Sequence, residues 1–252
     1  MKLSHRSAAT AIAVVVACSL SPRSEAQPPN TPPAAHSNVV IVHVKPDMLN
    51  EWLDLEKNEV IPAQKKGGIA SRTTYQTLRG NPFEYVMVTP FDKFAVFDGT
   101  SPQVKALGAE GAARLSAKLR KCEESVQVFV SSPLADLSNL PSGNIPAIAV
   151  YTRVRVATGK MQEYQNFLKT EILPLYKKAN VRSTVARRGL GANTNDLTLV
   201  ASVGDKYADL DAGSVLTRAL GAEGVAKLMA KSAGMATQVE QVVRRRVPDL
   251  SF

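Results

Sequence analysis

With 252 residues, 44% of them hydrophobic and 21% charged, the chain can bury one large or two modest cores and is not a wholly disordered protein. Its net charge of +9 comes without a long basic run interleaved with aromatics and without zinc-finger or RNP-like spacing, which argues against a nucleic-acid partner.

The first 26 residues read as an export signal. Lys2 and Arg6 precede an apolar run from Ala8 to Leu20, and Ser24-Glu25-Ala26 offers small residues at the positions a signal peptidase reads. Gln27 would then be the first mature residue, in a periplasmic or secreted protein. Val15-Val16-Ala17-Cys18 also resembles a lipobox, the alternative being a lipoprotein anchored at Cys18. The run continues past Cys18 to a good cleavage site, which favours simple cleavage. No later segment approaches the ~20 apolar residues of a membrane-spanning helix. Cleavage leaves Cys122 without an intrachain partner, so it is read as a small buried or half-buried side chain. It also removes Lys2, Arg6, Arg23 and Glu25 and leaves a mildly basic chain, suited to anionic surfaces or ligands.

Residues 27–37, rich in Pro, Ala and Asn, form an expected flexible leader. Val39 to Lys45 is short and β-branched, a strand. Asp47 to Ile61 carries Leu49, Trp52, Leu53 and Val60 at helical spacing, and should end or kink at Pro62. Ser71 to Arg79 and Phe83 to Thr89 flank Gly80-Asn81-Pro82 as a hairpin. Ala109 to Glu123 reads as a second helix and Val126 to Ser131 as a closing strand.

The same text then recurs. Ala106-Leu107-Gly108-Ala109-Glu110-Gly111 returns as Ala219-Leu220-Gly221-Ala222-Glu223-Gly224. EWLDLEKNEVIPAQKK from Glu51 matches EYQNFLKTEILPLYKK from Glu163. Asp92-Lys93-Phe94-Ala95 matches Asp205-Lys206-Tyr207-Ala208, and Asp136-Leu137-Ser138 matches Asp249-Leu250-Ser251. Four ordered blocks, offset by 112 residues in the Glu51 block and 113 in the others, indicate a duplication with a single-residue insertion. Residues 38–138 form the first repeat, 139–146 a Pro/Gly/Ser linker, and 147–252 the second. Copy two supplies strands at Ile148 to Val156, Arg182 to Arg188, Leu197 to Val203 and Val239 to Arg245. Its helices are Lys160 to Leu173, again broken at Pro174, and Ala222 to Ala233.

The expected fold class is α+β: two tandem ferredoxin-like β-α-β-β-α-β units. Each sheet with both helices on one face leaves the other face bare. Packing the two sheets together buries both bare faces and makes an intrachain pseudo-dimeric α/β barrel, to which further oligomerisation can be added. The element order, and a first helix with an aromatic followed by Glu-x-x-Pro (Glu59 to Pro62, Glu171 to Pro174), resemble the dimeric α/β-barrel superfamily of NIPSNAP-type, EthD-type and antibiotic-biosynthesis-monooxygenase-type domains. The resemblance covers nearly all of residues 38–252. It implies cofactor-free oxygenases, haem enzymes, decarboxylases or proteins of no assigned role, so fold alone selects no chemistry.

Strand alternation proposes the site. The Val-rich face shared by the first strands (Val40, Val42, Val44; Thr152, Val154, Val156) should meet the helices. His43, Tyr151, Arg153 and Arg155 then face the space between the sheets as candidate ligand-binding residues. The structural alternative is that the arginines pair with local acids or sit at the rim, and that His43 is an ordinary hydrogen-bonded histidine. Glu59, Glu171, Glu110 and Glu223 recur in both copies, which favours a folding role over general bases. Trp52, Tyr164 and Phe167 read as core. No metal-ligand cluster, phosphate-binding loop or nucleophile elbow is present in the sequence, and no cofactor is called. The expected function is export followed by binding of a small anionic or apolar molecule between the sheets. The alternatives are a cofactor-free monooxygenase-like or haem-binding enzyme, or an interaction module of the envelope.

Overall fold

The computed structural model describes residues 34–252. The expected signal segment, the Cys18 lipobox and the start of the leader lie outside the described residues. In chain order the strands are β1 (His36–Val44), β2 (Thr73–Arg79), β3 (Glu84–Phe91), β4 (Glu123–Pro133), β5 (Ile148–Val156), β6 (Ser183–Arg188), β7 (Asp196–Gly204) and β8 (Ala236–Arg246). Helices α1 (Leu49–Leu55) and α2 (Ile61–Lys66) follow β1, and α3 (Pro102–Cys122) precedes β4. Helices α4 (Met161–Phe167) and α5 (Leu173–Lys178) follow β5, and α6 (Val215–Lys231) precedes β8.

These strands close into an antiparallel barrel in the order β1-β3-β2-β8-β5-β7-β6-β4, with β4 returning to β1. Two seams join strands from opposite halves of the chain. Thr77 opposes Arg244 where β2 meets β8, and Ser131 opposes Arg188 where β4 meets β6. Backbone hydrogen bonds therefore run around the ring, and neither sheet keeps an open edge.

Alternation along each strand separates two layers. Outside, Val42 and Val44 pack with Trp52, Leu55, Tyr85 and Cys122. In the second half Val154 and Val156 pack with Tyr164, Phe167, Val185 and Leu228. Inside, Val39, Ile41, Val86 and Phe129 form their own cluster. Cys122 is fully buried in the outer layer, as read from the sequence.

The chain's two DLS tails cross over. Leu137, at the end of the first half, belongs to the core of the second, while Leu250 is buried in the core of the first. Lys57 meets Asp249 at 3.2 Å and Lys169 meets Asp136 at 3.3 Å in the same exchanged sense. Glu59 and Glu171 tie each half's helices together, to Lys118 at 2.7 Å and to Lys231 at 2.8 Å.

Three local expectations are corrected. The prolines do not end the first helix of each half; the chain stays helical from 49 to 66 and from 161 to 178 through a π turn. The Ile61 amide reaches back five residues to the Glu56 carbonyl, and Leu173 does the same to Leu168. Widening the turn makes room for the following proline ring, which would clash with the carbonyl four residues back in a regular α-helix. The second helices start earlier, after Ser101 and Ser214, whose hydroxyls accept the amides of Val104 and Thr217. Finally, β1 begins at His36 rather than at Val39, because His36, Ser37 and Asn38 pair with Phe91, Pro90 and Thr89. A backbone ladder extends a strand through polar residues that side-chain pattern alone assigns to a leader.

Candidate functional site

The four side chains proposed from the sequence occupy different surroundings. His43 and Arg155 hold matching positions near the ends of β1 and β5, beside the first carboxylates of β3 and β7. His43 Nε2 lies 3.1 Å from Glu84 and its Nδ1 2.8 Å from Ser125 Oγ. Arg155 clamps Asp196 in a bidentate pair at 2.7 and 3.0 Å, with its own side chain half exposed at the rim. Arg153 lies between Asp196 and Glu240, 3.6 Å from each. Tyr151 is drawn inward; its ring meets Tyr75 edge-on at 5.6 Å and carries the Arg244 guanidinium at 4.8 Å. The structure thus commits the charges of Arg153 and Arg155 to carboxylates and holds the His43 ring by Glu84 and Ser125. Of the four, Tyr151 alone lines the barrel's inner cavity.

A larger space lies elsewhere. Between the outer face of β5–β8 and helices α4, α5 and α6 is a cavity of about 450 Å³. That is within the range of small-molecule sites. Its walls include Phe167, Tyr176, Leu199 and Met229, with Gln241 donating to Thr152 Oγ1 at 3.0 Å as a polar element. Burial pushes the Tyr164 phenol up to about 12, so it stays a neutral hydroxyl at physiological pH.

At four matching positions the second half of the chain carries smaller side chains, and three of them, Tyr164, Thr152 and Ser232, line the cavity. Trp52 of the first half is Tyr164 in the second, Tyr85 is Leu197, Leu119 is Ser232 and Val40 is Thr152. In the first half Trp52 and Tyr85 meet at 4.7 Å, and Val40 and Leu119 pack against them. The space that is filled there is hollow here. Sequence reasoning assigned Tyr164 and Phe167 to core and missed this chamber. The size differences between aligned repeats carried the signal.

No protein-family profile matches the chain, and no curated protein matches it in sequence. Solved structures do match. A candidate monooxygenase from Fusobacterium nucleatum superposes with a TM-score of 0.58 at 12% identity, covering 85% of this chain and 93% of its own. An anthrone oxidase-like protein gives 0.55 at 10% identity, over 84% and 92%. A candidate monooxygenase from Lactobacillus acidophilus gives 0.53 at 10%, over 86% and 95%.

The likeness is one of fold.

It concerns the course of the backbone alone, and identities this low transfer no activity. Haem, which the resemblance raised as one alternative, does not fit the chamber through a histidine. His36 and His43 are the histidines among the described residues, and both are on β1. His36 is bonded to Ser132 and stacked on Phe91 and Phe94, and His43 is held by Glu84 and Ser125. No His or Cys lines the chamber. Among the described residues no group of three or more His, Cys, Asp or Glu is placed to hold a metal ion, and no helix is long and apolar enough to cross a membrane.

Proposed function

We propose that the protein is a small-molecule-binding α/β barrel, made by tandem duplication of a ferredoxin-like unit, in which the second half keeps a ligand chamber and the first half has filled its own. The duplication is supported by the matching element order, the paired ion bridges from Glu59 and Glu171, and the exchanged tails ending in Leu137 and Leu250. The chamber reading rests on one observation: at three matched positions that line it, Trp52, Val40 and Leu119 of the first half give way to Tyr164, Thr152 and Ser232, around a cavity of about 450 Å³.

The chamber's chemistry selects an apolar ligand with a few polar groups. Leu199, Phe167 and Met229 supply apolar contact, and the Thr152 and Gln241 pair with neutral tyrosine hydroxyls orients polar atoms. Titration with 1-aminoanthracene, a neutral fluorophore, tests the reading. Saturable fluorescence enhancement is expected, weakened roughly tenfold or more by Ser232→Leu, which restores the first half's residue. Because that change fills a void, the thermal midpoint should hold or rise. Binding that Ser232→Leu leaves untouched, or no saturable binding, overturns the proposal.

Oxidation of the bound molecule by dioxygen is the activity class that the neighbours' names bring, and oxygen uptake by the ligand-loaded protein reads it out. The export signal over residues 1–26 remains part of the proposal. Intact mass of protein recovered from its host's envelope should start at Gln27, and a mass showing an acylated Cys18 would replace it with the lipoprotein reading.

A further inference from the structure

The barrel's interior contains a second space that the chamber reading does not use. It is a cavity of about 270 Å³ lined by strand residues of both halves and by Ile145 to Ala147, just before β5. Val39, Ile41, Val86 and Phe129 make apolar walls. The charged residues that line it are Arg182, Arg188 and Arg244, and none of its lining residues is acidic.

Counter-ions and burial together single out Arg188: Arg182 also lacks a carboxylate partner but is partly exposed and gives its Nη2 to the Pro141 carbonyl at 3.2 Å. Three carboxylates lie on the inward-facing positions discussed above: Glu84, Asp196 and Glu240. Glu84 accepts from Arg244 at 2.8 Å and from the Thr77 hydroxyl at 2.5 Å, and its other oxygen faces His43. Asp196 is occupied by Arg155 and Arg153, and Glu240 by Arg153. Arg188 has no carboxylate within salt-bridge distance among the described residues. It is 5% exposed, gives its Nε to Thr198 Oγ1 at 3.2 Å, and lies over the Phe129 ring at 4.5 Å.

The asymmetry has a local cause. At one seam Arg244 crosses to Thr77 and reaches Glu84. At the other seam Arg188 opposes Ser131, and Asp196 holds the place that Glu84 has in the first half. There the position matching His43 is Arg155, a permanent cation that takes Asp196 in a bidentate clamp. With an arginine rather than a histidine at the rim, Asp196 is already occupied, and Arg188 is left without a direct carboxylate partner. A buried cation without a counter-ion is costly, and an anion brought in from outside relieves that cost. Burial, with Arg153 and Arg244 adding to it and the more distant Asp196 and Glu240 acting against it, lowers the Arg188 guanidinium to about 10, which leaves it charged at neutral pH.

We propose that the barrel interior is a binding site for a small organic carboxylate, with the carboxylate on Arg188 and the apolar body against Phe129 and Val86. Thr198 and Ser131 supply hydroxyls at the same end, and Tyr75 and Tyr151 supply aromatic wall. The planar guanidinium fork matches a carboxylate better than a point cation would. The apolar walls favour an aryl or branched alkyl acid over a bare inorganic ion.

Calorimetric titration of the purified protein with benzoate, and with benzamide as a neutral isostere, tests this. Benzoate should bind saturably, and benzamide at least about tenfold more weakly. Arg188→Met should abolish the preference, Arg188→Lys should keep part of it, and Ser232→Leu should leave it unchanged. Ala186→Leu narrows the cavity with Arg188 in place and should weaken benzoate as well, so the test stands even if Arg188→Met does not fold. Equal affinity for benzoate and benzamide overturns the proposal. So does benzoate binding that survives both Arg188→Met and Ala186→Leu, or no saturable benzoate binding at millimolar concentration. Inorganic phosphate competing as well as benzoate would mean a simple anion site and would overturn the carboxylate assignment.

Discussion

Glu56 and Arg72 form a buried ion pair at 2.8 Å, both almost fully removed from water. The matching positions of the second half are Leu168 and Ser183. Arg72 also donates to the Leu250 carbonyl and to Gln64, so it anchors the exchanged tail. Glu56→Leu should cost about 3–5 kcal/mol by stranding the guanidinium, whereas Glu56→Leu with Arg72→Met should lie nearer the wild type. Urea unfolding of the two variants measures the difference. Glu84 sets a pH dependence. Burial alone would raise its carboxyl, but the Thr77 hydroxyl, Arg244 and His43 outweigh that and hold it below the usual 4.5. A carboxyl lowered in the folded state stabilises above its unfolded pKa and loses that contribution as pH falls through the folded value. Stability should therefore decline on acidification below about pH 5, and Glu84→Gln should flatten that part of the profile. Arg188, Arg244, Glu84 and Asp196 carry the inner site, yet nothing in the single sequence distinguished them. Their meaning comes from which strand lies opposite, and pairing across the seams brings together residues more than fifty positions apart.

Helices α3 and α6 each bend at one glycine of the repeated Ala-Leu-Gly-Ala-Glu-Gly motif. Gly108 has φ 69° and ψ 169°, and Gly221 has φ 67° and ψ 174°. That conformation is essentially closed to residues with a Cβ, although open space surrounds both glycines. Gly108→Ala and Gly221→Ala should each destabilise by about 1–3 kcal/mol through backbone strain alone, and thermal denaturation should show it. The expected helix starts at Ala109 and Ala222 follow these bends, so the motif was legible as a boundary while the preceding helical turns were not. The π turns before Pro62 and Pro174 teach the same lesson. Proline's exclusion from α geometry is readable from sequence, but whether the chain stops or widens depends on the surface against which the next turn packs. Here Ile61 and Leu173 are buried in that surface, which favours continuation.

The exchanged tails make the barrel one cooperative object. Leu250 is 1% exposed within the first half's core although it closes the second half's sequence. Leu250→Ala should cost about 2–5 kcal/mol. Trp52 fluorescence reports the first half, so its loss should coincide with the loss of far-UV circular dichroism from the whole chain. Two separated transitions would show that the halves are not coupled through the seams and tails.

By itself the sequence determined the strand and helix order, the inward and outward faces of the first strands, and the repeat that points to matched halves. These follow from local rules: alternation, helical spacing and the recurrence of blocks. Only the tertiary structure decided that the sheets close through hydrogen-bonded seams, that Arg153 and Arg155 are neutralised while Arg188 is not, and that one half is filled and the other hollow. Charge balance and cavity volume belong to side chains that meet across the barrel, and a chain's local pattern does not specify which of them meet.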